Sequence, residues 1–191
     1  MKREELKEDR KSVDLAKYDN SWYTPGPRWR IALWMLASIV FFNHPLAVFN
    51  SIKCGLLRVF GAKVGKGVVI KPSVNIKYPW LLQLGNDVWI GEKVWIDNLA
   101  PVIIGNNVCI SQGAMLLTGN HNYKSAVFAL IVREIVVEDG VWLGAKSIVC
   151  PGVTCKTHSV LAVASVAIKD LAAFSVYQGN PAEKVREREI L

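Results

Sequence analysis

From Val64 onward an apolar residue returns at every sixth position. Val64, Ile70 and Ile76 open the series; after a slip of two come Leu84, Ile90 and Ile96, and after another slip Ile104, Ile110 and Leu116. The beat stops there and resumes at Val137, followed by Leu143, Val149, Cys155, Leu161 and Ala167. Of these 15 positions, 13 are aliphatic, a regularity that an ordinary mixed domain does not produce. Two residues before each member stands another small or aliphatic residue, from Val68 and Val74 through to Ser159 and Ser165. A period of six is neither the 3.6 of a helix stripe nor the 2 of a plain strand. It fits a short strand plus a tight turn, with Gly65, Gly85, Gly91, Gly105 and Gly144 easing the bends. Three such units close one triangular coil, and the pattern predicts an all-β parallel β-helix of about five coils over 64–170. Each coil buries its face only against its neighbours, so both ends need caps.

The two-residue slips predict small corner bulges. The long interruption predicts a loop, 118–134, that leaves coil three and re-enters in phase. A long loop in a tight solenoid is usually functional, and His121 stands at its mouth, held by Gly119 and Asn120.

Residues 1–63 lack the repeat and predict an N-terminal arm followed by an apolar helical segment. The run "IALWMLASIVFF", halted by Asn43, His44 and Pro45, is too short to span a bilayer, which takes about 20 apolar residues. "LAVFNSIKCGLLRVFG" reads as an amphipathic helix with Lys53 and Arg58 on its wet side. The segment suits a helical cap for the first coil, or an interfacial helix pair with Trp29, Arg30 and Trp34 near lipid headgroups. Residues 171–191 leave the repeat through a Gly-Asn-Pro turn and predict a short charged helix as the second cap.

Composition narrows the classes. A chain of 191 residues, half of them hydrophobic, suits one domain with a small appendage. The net charge of +7 suits an anionic ligand or surface, or mere solubility. The basic residues look scattered, with no aromatic-interleaved run beyond the first thirty positions, which disfavours nucleic acid. Four cysteines without CxxC spacing and a polar start without a signal-peptide pattern point to a reduced, cytoplasmic setting. A metal site of the carbonic anhydrase kind needs three histidines on adjoining coils; only His121 and His158 lie in the solenoid, so no metal is expected.

The segments "VWIGEKVWIDNLAPVIIG", "CISQGAMLLTGNHNY", "VEDGVWLGAKSIVCPGV" and "QGNPAEKVRER", with the hexads, resemble the hexapeptide-repeat acyltransferases, and among them the colanic acid biosynthesis acetyltransferase type. The likeness runs from about Val13 to the C-terminus and includes "DNSWYTPG" and "LLRVFGAKVGKGVVIKPSVNIKYPW". It implies a left-handed β-helix, a homotrimer, and acetyl-CoA lying between neighbouring subunits as co-substrate. The acceptor would be a sugar hydroxyl of an exopolysaccharide or its lipid-linked precursor, handled at the inner face of a membrane.

By the same resemblance His121 is the general base, needed because an alcohol is a poor nucleophile at neutral pH. Asp97 orients that ring or binds the sugar, Asn98 does either or turns a corner, and Asn120 lies beside the acceptor. Gly144 and Ala145 offer backbone N–H groups to the oxyanion. Trp142 and Val163 flank the CoA groove, while Lys169, Lys184 and Arg186 meet its phosphates and adenine. The chain departs from the family at Ala164 and Ile168, where Gly and Thr are usual, and at Ser125 and Ala126, where Asp-Pro is common. Two further readings stay open: another small hydroxyl acceptor such as serine, maltose or an antibiotic, and a silent β-helix scaffold.

Overall fold

The structure, a computed structural model, describes residues 12–44 and 49–191; the polar opening and the stretch holding Pro45 lie outside them. Coil one comprises β1 (Lys63–Val64), β2 (Val69–Ile70) and β3 (Asn75–Ile76). Coil two comprises β4 (Leu82–Leu84), β5 (Trp89–Ile90) and β6 (Trp95–Asp97). Coil three comprises β7 (Val102–Ile104), β8 (Cys109–Ile110) and β9 (Met115–Leu117). A hairpin, β10 (Gly119–His121) and β11 (Leu130–Val132), fills the interruption. Coil four follows as β12 (Ile135–Val137), β13 (Trp142–Leu143) and β14 (Ile148–Val149). Coil five is β15 (Thr154–Cys155), β16 (Val160–Leu161) and β17 (Val166–Ala167), and part of a sixth coil follows.

Stacked coil on coil, these strands form three parallel sheets, the faces of a triangular prism. The first face runs β1-β4-β7-β12-β15, the second β2-β5-β8-β13-β16, and the third β3-β6-β9-β14-β17. Register sets each hexad member on its counterpart: Ile70 on Ile90, then Ile110, Leu143 and Leu161. Every member except Val64 is buried, and so is every companion two residues earlier. Two inward side chains per hexad, at about 1.5–3 kcal/mol for each large aliphatic one, make the column that holds the coils together.

The glycines work differently from the sequence expectation. A Cβ on Gly65 would lie 2.4 Å from the Gly85 carbonyl oxygen, and one on Gly85 would lie 2.5 Å from that of Gly105. Close coil stacking, not the bend, demands them. The bends fall further along, at residues in the left-handed region that are mostly not glycine: Asp87, Asn107 and His158 between first and second faces, Ser73, Lys93 and Ala164 between second and third. His158 stacks parallel on Phe174, 4.8 Å between centroids, and is therefore part of a corner column.

Two helices, α1 (Arg28–Phe41) and α2 (Asn50–Val59), close the N-terminal end. They satisfy backbone groups that have no preceding coil to bond. The Trp34 indole donates to the Ile76 carbonyl at 2.8 Å, and the Asn50 amide bridges Val68 O and Ile70 N, both at 2.7 Å. Lys53 is buried rather than wet, because its ammonium donates to the carbonyls of Ile70 and Lys71. Burial lowers its pKa. Trp34 and Arg30 are likewise not free to meet headgroups: Trp34 is in the core, and Arg30 donates to Phe60 O while lying over the Trp80 ring.

The C-terminal tail is a hairpin, not the expected helix. β18 (Ser175–Gly179) adds to the second face beside β16, and β19 (Ala182–Glu187) pairs antiparallel with it. "AEKVRE" has good helix propensity, but that is a weak preference beside an open sheet edge needing partners. The charges of β19 then blunt the new outer edge.

Candidate active site

Both two-residue slips and the loop fall at one edge of the prism, between the third and first faces. In coil one the slip is a 3₁₀ turn over Pro79–Leu81; in coil two it is the stretch from Asn98 to Pro101; in coil three it is the hairpin. Asn98 is fully buried, its amide donating to Tyr78 O at 2.6 Å and accepting from Tyr78 N at 2.9 Å. The Thr118 hydroxyl accepts from Ala100 N and donates to Asp97 O, fastening the start of the loop to the corner below.

His121 ends β10 opposite Leu130 of β11. Its Nδ1 lies 3.0 Å from the Phe128 carbonyl, and its ring stacks on Phe128 at 4.4 Å and 9°. A carbonyl only accepts, so Nδ1 carries the hydrogen and the neutral ring presents its lone pair on Nε2. The orienting group thus comes from the loop itself, where the sequence pointed to the coil below. Tyr18 of the N-terminal arm adds a tilted contact at 5.6 Å, and the arm bonds the loop through Asp14 N to Ala126 O. The Asn120 carboxamide accepts from His121 N at 2.8 Å.

Asp97 lies on β6 beneath the loop. Lys77 Nζ is 2.8 Å from its Oδ1, near enough to pair by charge but off the hydrogen-bond direction, so among the described residues that oxygen has no hydrogen-bond donor. Tyr23 donates to Leu99 O at 2.7 Å beside this group; burial raises its pKa, with Tyr78 and Asp97 adding to the rise.

The edge between second and third faces carries a groove of about 430 Å³. Trp142, Gly144, Ala145, Val163 and Arg186 line it together with Ser111. The Trp142 indole donates to Ser111 Oγ at 2.9 Å, which fixes its ring along the wall. Gly144 N–H already donates to Leu161 O at 2.7 Å and is not open to a ligand, contrary to expectation. Ala145 N–H donates to none of the described residues. A Cβ on Gly144 would lie 2.7 Å from Ala162 C, so its smallness serves stacking.

The three cations separate. Register puts Tyr177 opposite Lys184 and Val176 opposite Arg186, leaving Val185 as a bulge. Without the bulge 184 and 186 would share a face; with it, Arg186 enters the groove while Lys184 joins Lys169 in a second pocket of about 250 Å³. That pocket stands on the His121 edge of the prism, beyond β17. Phe128, Tyr18 and the Val185 bulge left no mark in the hexad pattern.

Within one chain, then, His121 and the Trp142 groove occupy different edges. Six residues of chain at about 3.3 Å each set a face of at most roughly 20 Å between them. Among the described residues no cluster of three or more metal-ligating side chains occurs.

No family model matches the chain. It is similar to a protein of Escherichia coli (strain K12) named as a colanic acid biosynthesis acetyltransferase, WcaF, with 40% identity over 83% of this chain and 87% of that one. It is also similar to the galactoside O-acetyltransferase of the same organism, 27% identical over 76% of this chain and 73% of the relative. Among solved structures, a hexapeptide-repeat acetyltransferase from Vibrio cholerae, complexed with acetyl coenzyme A, superposes with a TM-score of 0.74 at 23% identity, covering 85% of this chain and 87% of that one.

Proposed function

The chain belongs to the hexapeptide-repeat acetyltransferases, and on that premise we propose that it transfers the acetyl group of acetyl-CoA to a sugar hydroxyl in exopolysaccharide synthesis, with His121 as general base. The observation that carries this reading is the bond from His121 Nδ1 to the Phe128 carbonyl, which leaves Nε2 free to accept a proton. Nε2 takes the proton of the acceptor hydroxyl as its oxygen attacks the thioester carbon. Ala145 N–H donates to the oxyanion of the tetrahedral intermediate. On collapse the carbon–sulfur bond breaks, and the imidazolium returns its proton to the CoA sulfur. Asp97, a partly exposed carboxylate paired with Lys77, holds another hydroxyl of the sugar, while Asn98 keeps the corner and Asn120 sets the backbone of His121.

The two edges meet only between chains. In this reading three copies assemble so that His121, Lys169 and Lys184 of one chain face Trp142, Ala145, Val163 and Arg186 of the next, and the pantetheine arm and phosphates of CoA lie in that seam. An incomplete site within each chain supports the trimer. The acceptor class extends to lipid-linked saccharides handled at the inner face of a membrane.

Calorimetry of acetyl-CoA on the wild type and His121→Ala tests the proposal, followed by thiol release with galactose, glucose and fucose as acceptors. Micromolar binding by both proteins, with turnover by the wild type alone, is expected. Absence of wild-type binding up to millimolar acetyl-CoA would overturn the enzyme reading in favour of a silent scaffold.

A further inference from the structure

The α1 helix is built inside out. Its inner side carries Arg30, Ile31, Trp34, Ala37 and Ser38, so its polar residues beyond Arg28 point into the protein. Its outer side is formed by Trp29, Leu33, Met35, Leu36, Ile39 and Val40, each half or more exposed. Phe49 and Ile52 at the start of α2 extend the exposed apolar surface. An apolar surface this continuous on the outside of a folded chain marks something that covers it.

Charge states what that is. Residues 20–86 contain no aspartate or glutamate and eight of the 23 basic residues. This third of the chain therefore carries +8, and since the total is +7, all the rest carries −1. Basic residues that look scattered along the sequence are segregated in space. Lys63 on β1 and Lys66 and Lys71 at two corners of coil one are exposed, while Lys77 at the third corner is held by Asp97. The helix end thus has an apolar centre and a cationic rim.

We propose that this end of the prism docks on the surface of a bilayer bearing anionic headgroups. The outer side of α1 enters the headgroup–acyl boundary, Trp29 sits at the interface, and Lys63, Lys66 and Lys71 meet lipid phosphates. None of the described helices is long and apolar enough to cross a membrane, so the contact is with the surface. The surface stands without the transferase reading and rests on it for two consequences only. A trimer with parallel prism axes would turn three such ends to one plane, multiplying a weak contact. Coil three is two coil steps, roughly 10 Å, above coil one, so His121 would stand within reach of a sugar carried on a lipid headgroup.

Co-sedimentation of the full chain with vesicles tests the proposal, using phosphatidylcholine alone and phosphatidylcholine with about one third phosphatidylglycerol. The wild type is expected to bind the anionic vesicles and not the neutral ones. Leu33→Glu/Leu36→Glu and Lys63→Glu/Lys66→Glu should each lower that binding by about tenfold or more, with acetyl-CoA affinity measured alongside as the control for folding. No binding to anionic vesicles overturns the proposal, and equal binding to neutral ones overturns the anionic partner. Self-association beyond the trimer that Leu33→Glu/Leu36→Glu abolishes would give the face to another copy of the chain instead. Vesicle binding without acetyl-CoA binding would sink the transferase alone, and the reverse would sink the docking alone.

Discussion

His121 can take a proton from an alcohol only through a ring nitrogen that carries a lone pair, and the Phe128 carbonyl, by engaging Nδ1–H, leaves Nε2 as that nitrogen. Replacing His121 by Ala should lower kcat by about 10²–10⁴-fold and leave acetyl-CoA affinity nearly unchanged. Phe128→Ala keeps the carbonyl and loses only the stacked ring, so its expected cost is less than about tenfold, roughly the worth of one aromatic pair. A loss as large as that of His121→Ala would mean that the ring, not the carbonyl, sets the base. The position of His121 was legible because it interrupts a rhythm. Phe128 was not, because its contact arises when a hairpin folds back over seven residues, and no spacing records that. Cys155 shows the opposite case, where an inward hexad position alone implies a buried thiol. Burial, with Asp170 and Glu138 nearby, pushes its thiol up to about 12. Native protein at pH 8 should therefore leave Cys155 unlabelled by iodoacetamide, while urea-unfolded protein labels it.

Strands of two or three residues have little intrinsic stability, and the elements here hold through stacking in register. That is why the solenoid could be read from one repeated position, while what departs from stacking could not. The tail was misread for this reason: helix propensity is local, whereas the open edge of β16 is a product of the whole stack. The glycines were found but given the wrong task, since a sequence shows that glycine is required and not which clash requires it. Two substitutions separate the tasks. Gly144→Ala pushes a methyl against the next coil and should destabilise by more than about 2 kcal/mol. Ala164→Gly, at a corner with φ of 54°, relieves left-handed strain and should stabilise by up to about 1 kcal/mol. Urea midpoints of the two variants should move in opposite directions. Ser159→Ala removes a buried hydroxyl without a partner among the described residues and should be neutral or slightly stabilising.

At the scale of the molecule, one prism carries His121 on one edge, the Trp142 groove on another and a cationic, apolar surface at one end. His121 and the groove-lining residues were each singled out along the chain, yet their separation follows from which edge each corner occupies, which only the stacked coils reveal. If each seam takes its base from one chain and its groove from the next, two inactive variants should rescue one another. Co-expression of His121→Ala with Ala145→Trp, which fills the groove, at equal levels would leave about a quarter of the seams with both halves intact. Thiol release by the mixed assembly should then return to about a quarter of the wild-type rate, with each variant alone near zero. A mixed assembly no more active than its parents would place base and groove in the same chain and contradict the seam.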